Sequence, residues 1–213
     1  MIKSALELAL EKTKNFQIDE SVQKANEAKL EGRKAASRFM EDPTSIDFKA
    51  VLDTLSAEQR QIFLEAAFEV VSTVIQLPQN SSIAFETLET AGKAIIALCG
   101  LSSKFNADRE TKLAQQQARS LLQQIQQFMK QYSEEMKRAE QAIRNQWAPK
   151  LREKERQLAA QVGQNVRLDP MSDPEFAEFY RKNIDAMHKN YANALEEAKT
   201  QLKQICGFAV ETQ

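Results

Sequence analysis

Residues 107–162 read ADRETKLAQQQARSLLQQIQQFMKQYSEEMKRAEQAIRNQWAPKLREKERQLAAQV, with no glycine and one proline, Pro149. Apolar residues recur along this stretch at Ala114, Ala118, Leu121, Ile125, Phe128, Tyr132, Met136, Ala139, Ile143, Trp147, Leu151, Leu158 and Val162. Steps of three and four with polar residues between them are the signature of an amphipathic helix. A continuous helix of this length is roughly 85 Å long at 1.5 Å per residue. With Glu155 as the one polar step between Leu151 and Leu158, the stripe advances by about 3.7 residues per step, more than the 3.5 of a left-handed coiled coil. The expectation is a nearly straight rod. Pro149 removes one N–H and crowds the carbonyl of Asn145, so a kink is expected there in preference to a break.

After the rod, Gly163–Ser172 is expected to connect. Asp173-Pro174-Glu175 then carries three helix-start signals in a row: a capping carboxylate, a proline at the first helical position, and an acid at the positive end of the dipole. Phe176, Tyr180, Ile184, Met187, Tyr191, Leu195, Ala198, Leu202 and Ile205 make the stripe of this second helix, about 174–206. The two form an antiparallel hairpin over 104–206, with 207–213 as a tail. Folded straight back from the turn, the second helix of roughly 50 Å reaches only to about Gln131. Leu113–Met129 is then left for the first domain, a second subunit or a partner to cover.

Upstream, 1–100 reads as a compact helical domain. A first helix is expected over about 4–15. A second runs from Asp19 to about Met40, with Ala25, Ala28, Gly32 and Ala36 permitting close approach of another helix. Ser56 and Gln59 have capping-box spacing. The helix they open, to about Leu77, is apolar over most of its circumference and should be the buried centre of the domain. A fourth helix is expected over about 83–99. Period-two alternation is absent, and five glycines and five prolines in 213 residues are too few for an all-β fold. The fold class is all-α.

Charge and residue inventory narrow the function. There are 29 basic and 30 acidic side chains. That balance argues against nucleic acid as the main partner, and the asymmetry along the chain, net −4 over the first hundred residues and net +3 over the remainder, is mild. The longest apolar stretch, Ala66–Leu77, is too short to span a bilayer and contains Glu69. Glu7 and Glu11 interrupt any secretory core, so a cytoplasmic location is expected. The glycines, at 32, 92, 100, 163 and 207, stand alone and build no phosphate loop. His188 is the single histidine; Asp185 lies one turn before it, but a carboxylate-bridged metal pair needs a second such motif. No metal, cofactor or catalytic residue is expected, and an enzyme is the least favoured class. Cys99 and Cys206 share the context apolar-Cys-Gly-apolar, which reads as two helix ends with a small buried side chain at each.

Two stretches are candidates for binding. Leu121, Ile125, Phe128 and Met129 lie where the rod is expected to be uncovered, and would anchor a partner protein or a second copy in a homodimer. Lys137–Arg167 holds eight basic and three acidic residues. Within it, Trp147, Lys150, Arg152, Lys154 and Arg156 supply an alternative, a site for an anionic polymer or membrane surface. Interleaved Glu153 and Glu155 favour a solvated face instead.

The opening Lys3-Ser4-Ala5-Leu6-Glu7-Leu8-Ala9-Leu10-Glu11-Lys12-Thr13, with Glu31-Gly32-Arg33-Lys34, resembles a family of uncharacterised bacterial proteins. The resemblance implies a bacterial, cytoplasmic origin and no activity or site residue. The expected function is a non-catalytic interaction or scaffolding protein working through helix–helix contacts. A client-holding chaperone is a further alternative.

Overall fold

The computed structural model describes residues 20–78, 85–164 and 167–208, and these form six α-helices with no strand among them. They are α1 (Glu20–Glu41), α2 (Phe48–Asp53), α3 (Ala57–Thr73), α4 (Phe85–Gly100), α5 (Asp108–Val162) and α6 (Pro174–Ile205). The helix expected over 4–15, the proposed cap Asp19 and tail residues 209–213 lie outside the described residues.

Local chemistry sets the boundaries. The Ser56 N–H donates to Gln59 Oε1 at 3.2 Å, the backward half of a capping box that starts α3. Asp47 caps α2 through the Lys49 N–H at 2.9 Å. Asp173 caps α6 through the Phe176 N–H at 3.0 Å, with Pro174 in the first turn. Gly163 closes α5 at φ +72°, a left-handed position where a side chain would be strained. The rod is a single helix of 55 residues that runs through Pro149.

The α3 helix is the expected centre: Phe63, Leu64, Ala66, Ala67, Phe68 and Val71 are all buried, although it ends at Thr73 and not at Leu77. Its main neighbour is α1, which buries only Ala28, Gly32, Ala35 and Ala36. Small side chains let the backbones nearly touch, and a Cβ built on Gly32 would lie 2.3 Å from the Phe63 carbonyl oxygen. Phe39 stacks on Phe48 at 5.1 Å and seals the α1–α2 corner.

One cluster of buried residues runs from Ala35 to Phe208, so the core crosses the expected boundary at 100–104 without a break. The physical reason is α4: its face of Leu88, Ala91, Ala94, Ile95 and Leu98 joins the α3 core to Ala114, Ala118, Leu122 and Ile125 of the rod. A second, smaller cluster of Ile143, Trp147, Leu151 and Phe176 holds the far part of the hairpin.

The register of the hairpin departs from expectation. Phe176, in the first turn of α6, packs edge-on against Trp147 at 5.8 Å. That places the start of α6 about 15 residues below the tip of α5, roughly 23 Å at 1.5 Å per residue. The connection folds back along the rod, pinned where the Leu168 N–H donates to Glu155 at 3.0 Å and Lys154 pairs with Asp173. Starting lower, α6 ends lower: Leu121 and Ile125 of the rod face Ala194, Ala198 and Gln201. Of the covers expected for Leu113–Met129, the first domain supplies one through α4, and the lowered α6 adds another.

Candidate functional site

The lower hairpin carries an open trough of about 300 Å³ between α5 and α6. Leu121, Gln124, Ile125 and Phe128 line one side, and Ala194, Glu197, Ala198 and Gln201 the other. The trough exists because α6 offers two alanines one turn apart where α5 offers large side chains, so the facing surfaces do not fill the space between them. Phe128 packs against Tyr191 with the rings tilted and their centroids 4.9 Å apart, at the upper end.

Of the four expected anchors, Ile125 and Met129 are each only 2 % exposed and belong to the main core. They are not free to meet a partner, because α4 and the lowered α6 already cover them. Leu121 and Phe128 are half-buried and remain reachable at the trough. A second open groove, about 410 Å³, lies between α4 and α5, lined by Phe85, Leu88, Gly92, Ile96, Arg119 and Leu122 among others. Lys130 sits over the Phe85 ring at 5.1 Å beside it.

Above the trough, three tyrosines form a polar belt that sequence reasoning placed only on apolar stripes. Tyr132 and His188 Nδ1 share a hydrogen bond of 2.9 Å. The Tyr180 hydroxyl donates to Glu140 at 3.0 Å, and the Tyr191 hydroxyl donates to Glu135. Burial, then the nearby carboxylate, pushes Tyr191 up to about 12, and Tyr132 and Tyr180 are raised for the same two kinds of reason. The Tyr191 and Gln131 hydrogen bonds hold Glu135 below its usual range. Each tyrosine thus places its ring in the packed seam and its hydroxyl on a polar partner at the rim, as amphipathic aromatics do. His188 is exposed and engaged with Tyr132, and among the described residues no three His, Cys, Asp or Glu side chains converge on a metal position.

The basic stretch does not assemble into one surface. Trp147 is 8 % exposed and packs on Phe176 and Phe179 at 5.8 and 5.7 Å, so its ring belongs to the distal core. Lys150 lies over that ring at 4.5 Å. Lys154 is paired with the buried Asp173 and with Glu175, which raises its pKa and lowers that of Asp173. Arg156 lies 3.9 Å from Glu153, and Arg152 is exposed. At two-residue spacing successive positions turn by about 200°, so Lys150 and Lys154 fall on one side of the helix and Arg152 and Arg156 on the other.

The structure also unites two residues that no local signal places together. Cys99 and Cys206 are both fully buried in the main core, and the close approach of Gly207 to Ser102 and Lys104 brings their helix ends together. The only signal was their shared position at helix ends, and helix ends do not say which end meets which.

No helix among the described residues is long and apolar enough to cross a membrane. No curated protein and no solved structure matches the chain. The model of a family of unknown function, DUF6657, matches residues 49–204. The match takes in α2 through nearly all of α6 and leaves out Lys3–Thr13 and Glu31–Lys34, the residues that carried the resemblance to uncharacterised bacterial proteins. With about three quarters of its length matched, from the buried centre of the first domain to the last turns of the hairpin, the chain belongs to the family of unknown function DUF6657.

Proposed function

We propose that this chain is a non-catalytic helical interaction protein that accepts an amphipathic helix of a partner protein in the trough between α5 and α6. The observation that carries the reading is the trough itself: Leu121 and Phe128 stand half-buried across from Ala194 and Ala198, one turn apart on the facing helix. Helix-in-groove recognition uses apolar anchors at this spacing, with polar groups at the rim. Gln124, Gln201 and the exposed carboxylate of Glu197 form that rim, so the matching helix carries an apolar stripe flanked by Lys or Arg. An anionic polymer is less well supported, because Lys154 already neutralises Asp173 and Trp147 is committed to the core.

The test fills the trough without removing core atoms. Ala194→Glu and Ala198→Glu place bulk and charge where the partner helix would lie, on a helix face that can carry them. A photo-reactive side chain at Gln201 in cells should give one discrete adduct, with the cross-link falling in a helical segment of the partner. That adduct should be lost in the Ala198→Glu chain while Tm stays within a few degrees of the parent. A diffuse smear, or an adduct indifferent to Ala198→Glu, refutes the docking site. A cross-link to a second copy, with a dimer mass by light scattering, replaces a foreign partner by self-association.

A further inference from the structure

Cys99 lies at the end of α4, and Cys206 follows directly on α6. Both side chains have no exposed surface, and both are free thiols. The surrounding contacts hold the two ends together. Phe208 packs on Phe68 of α3 with ring centroids 5.3 Å apart. Gly207 has φ +77°, and a Cβ there would meet Ser102 Oγ and Lys104 Cβ at 2.9 Å. The residue after one cysteine is thus wedged against the residues that follow the other. No third His, Cys, Asp or Glu among the described residues joins them, so the pair is not part of a larger ligand cluster.

We propose that Cys99 and Cys206 are a disulfide-forming pair, whose oxidation fastens the last turn of the hairpin to the end of α4. Both side chains are buried in one core at helix ends that these contacts hold against each other, and forming a disulfide requires just such an approach of the two backbones. Interaction with Cys206 lowers the Cys99 pKa, while interaction with Cys99, then burial, raises that of Cys206, so Cys99 ionises first. With a low-molecular-weight disulfide as oxidant, the Cys99 thiolate attacks one of its sulfurs. The S–S bond breaks, and one small thiol leaves with the proton given up by Cys99. The Cys206 sulfur then attacks Cys99 in the mixed disulfide, a new S–S bond forms, and the second small thiol leaves with the Cys206 proton. Two electrons pass from the protein dithiol to the oxidant. The pair stands whatever occupies the trough between α5 and α6.

Burial slows reagents, so the test forms the bond during folding. The full chain is refolded from denaturant in reduced and oxidised glutathione at several ratios, quenched in acid, then alkylated while unfolded. The expected product is a monomer lighter by about 2 Da, with neither cysteine alkylated and a cross-linked peptide joining residues 99 and 206. The bond closes a loop of about 107 residues, and Tm should rise by roughly 5–15 °C and fall back on reduction. Cys99→Ser and Cys206→Ser, or the Ala variants if these fold poorly, should show no oxidation-dependent rise. Two alkylatable thiols at every ratio overturn the proposal. So do glutathione adducts or intermolecular dimers in place of the internal bond, or a disulfide that lowers Tm.

Discussion

Gly32→Ala and Gly92→Ala make the same chemical change in the interiors of two helices, and the structure assigns them opposite signs. In a helix, alanine is favoured over glycine by about 1 kcal/mol, because glycine loses more backbone entropy on folding. At Gly92 the added methyl would find only Leu122 Cδ1, at 3.6 Å, an ordinary contact. The propensity gain should survive there, and Tm should rise by roughly 1–4 °C for a chain of this size. At Gly32 the methyl would lie 2.3 Å from the Phe63 carbonyl oxygen and 3.1 Å from its carbon. Those are backbone atoms in the middle of α3, unable to rotate away, so α1 and α3 must separate by about 1 Å along their closest approach. Overpacking of this kind costs about 1–3 kcal/mol, and contact with a rigid backbone argues for the upper half. After subtracting the propensity gain, Gly32→Ala should be destabilised by about 1–2 kcal/mol, with Tm lower by roughly 3–8 °C. Urea denaturation followed by circular dichroism measures both variants on one scale, and an unchanged slope confirms that the native fold is retained. If Gly32→Ala matches or exceeds the parent, the close α1–α3 approach is not a feature of the folded protein. A fall for Gly92→Ala would refute the reading of the α4–α5 contact.

Ile125→Ala should cost about 2–5 kcal/mol as a core truncation, and Leu121→Ala clearly less, because Leu121 is half-exposed; equal losses in chemical denaturation would contradict the placement of the trough. Lys154 and the Phe176 N–H lower the pKa of Asp173, so this carboxylate contributes stability above its ordinary pKa that is lost as pH falls through its lowered folded value. Tm measured downward from about pH 4 should therefore fall more steeply for the parent than for Asp173→Asn, and parallel curves would remove the ion pair from the account. All three tyrosines are raised above the ordinary value of 10, Tyr191 to about 12, so stability held below pH 10 is lost as pH climbs through the folded values. Absorbance at the phenolate band should stay nearly flat through pH 10 in the folded chain and titrate normally in denaturant, and Tyr191→Phe should remove the latest step. A normal titration in the folded chain would place the hydroxyls in open water.

Much of the local structure was legible in the residues, because helix starts and stops are short-range chemistry. Asp173-Pro174 and Ser56 with Gln59 act within one turn of themselves, and the α5, α6 and α3 starts fall within a residue of where these signals and the stripes put them. The all-α class and the long hairpin follow from periodicity, which any helix with one buried face must show. The site was less legible. Helix lengths alone, with α6 starting at the tip of α5, leave Ile125 and Met129 uncovered. A stripe that repeats every three or four residues permits that register, and others several turns away, with apolar groups still facing apolar groups.

The register is decided by features that do not repeat: the Lys154–Asp173 pair, Trp147 against Phe176, and the tyrosine hydroxyls on Glu135, Glu140 and His188. By itself the sequence determined which segments are helices, where they begin and which face of each is apolar, since these depend on neighbours within a few residues. Only the tertiary structure decided that α4 and the lowered α6 cover the rod, that Leu121 and Phe128 stay open at a trough, and that Cys99 meets Cys206. Those outcomes depend on contacts between residues far apart in the chain, and no local preference records which distant surface will be met.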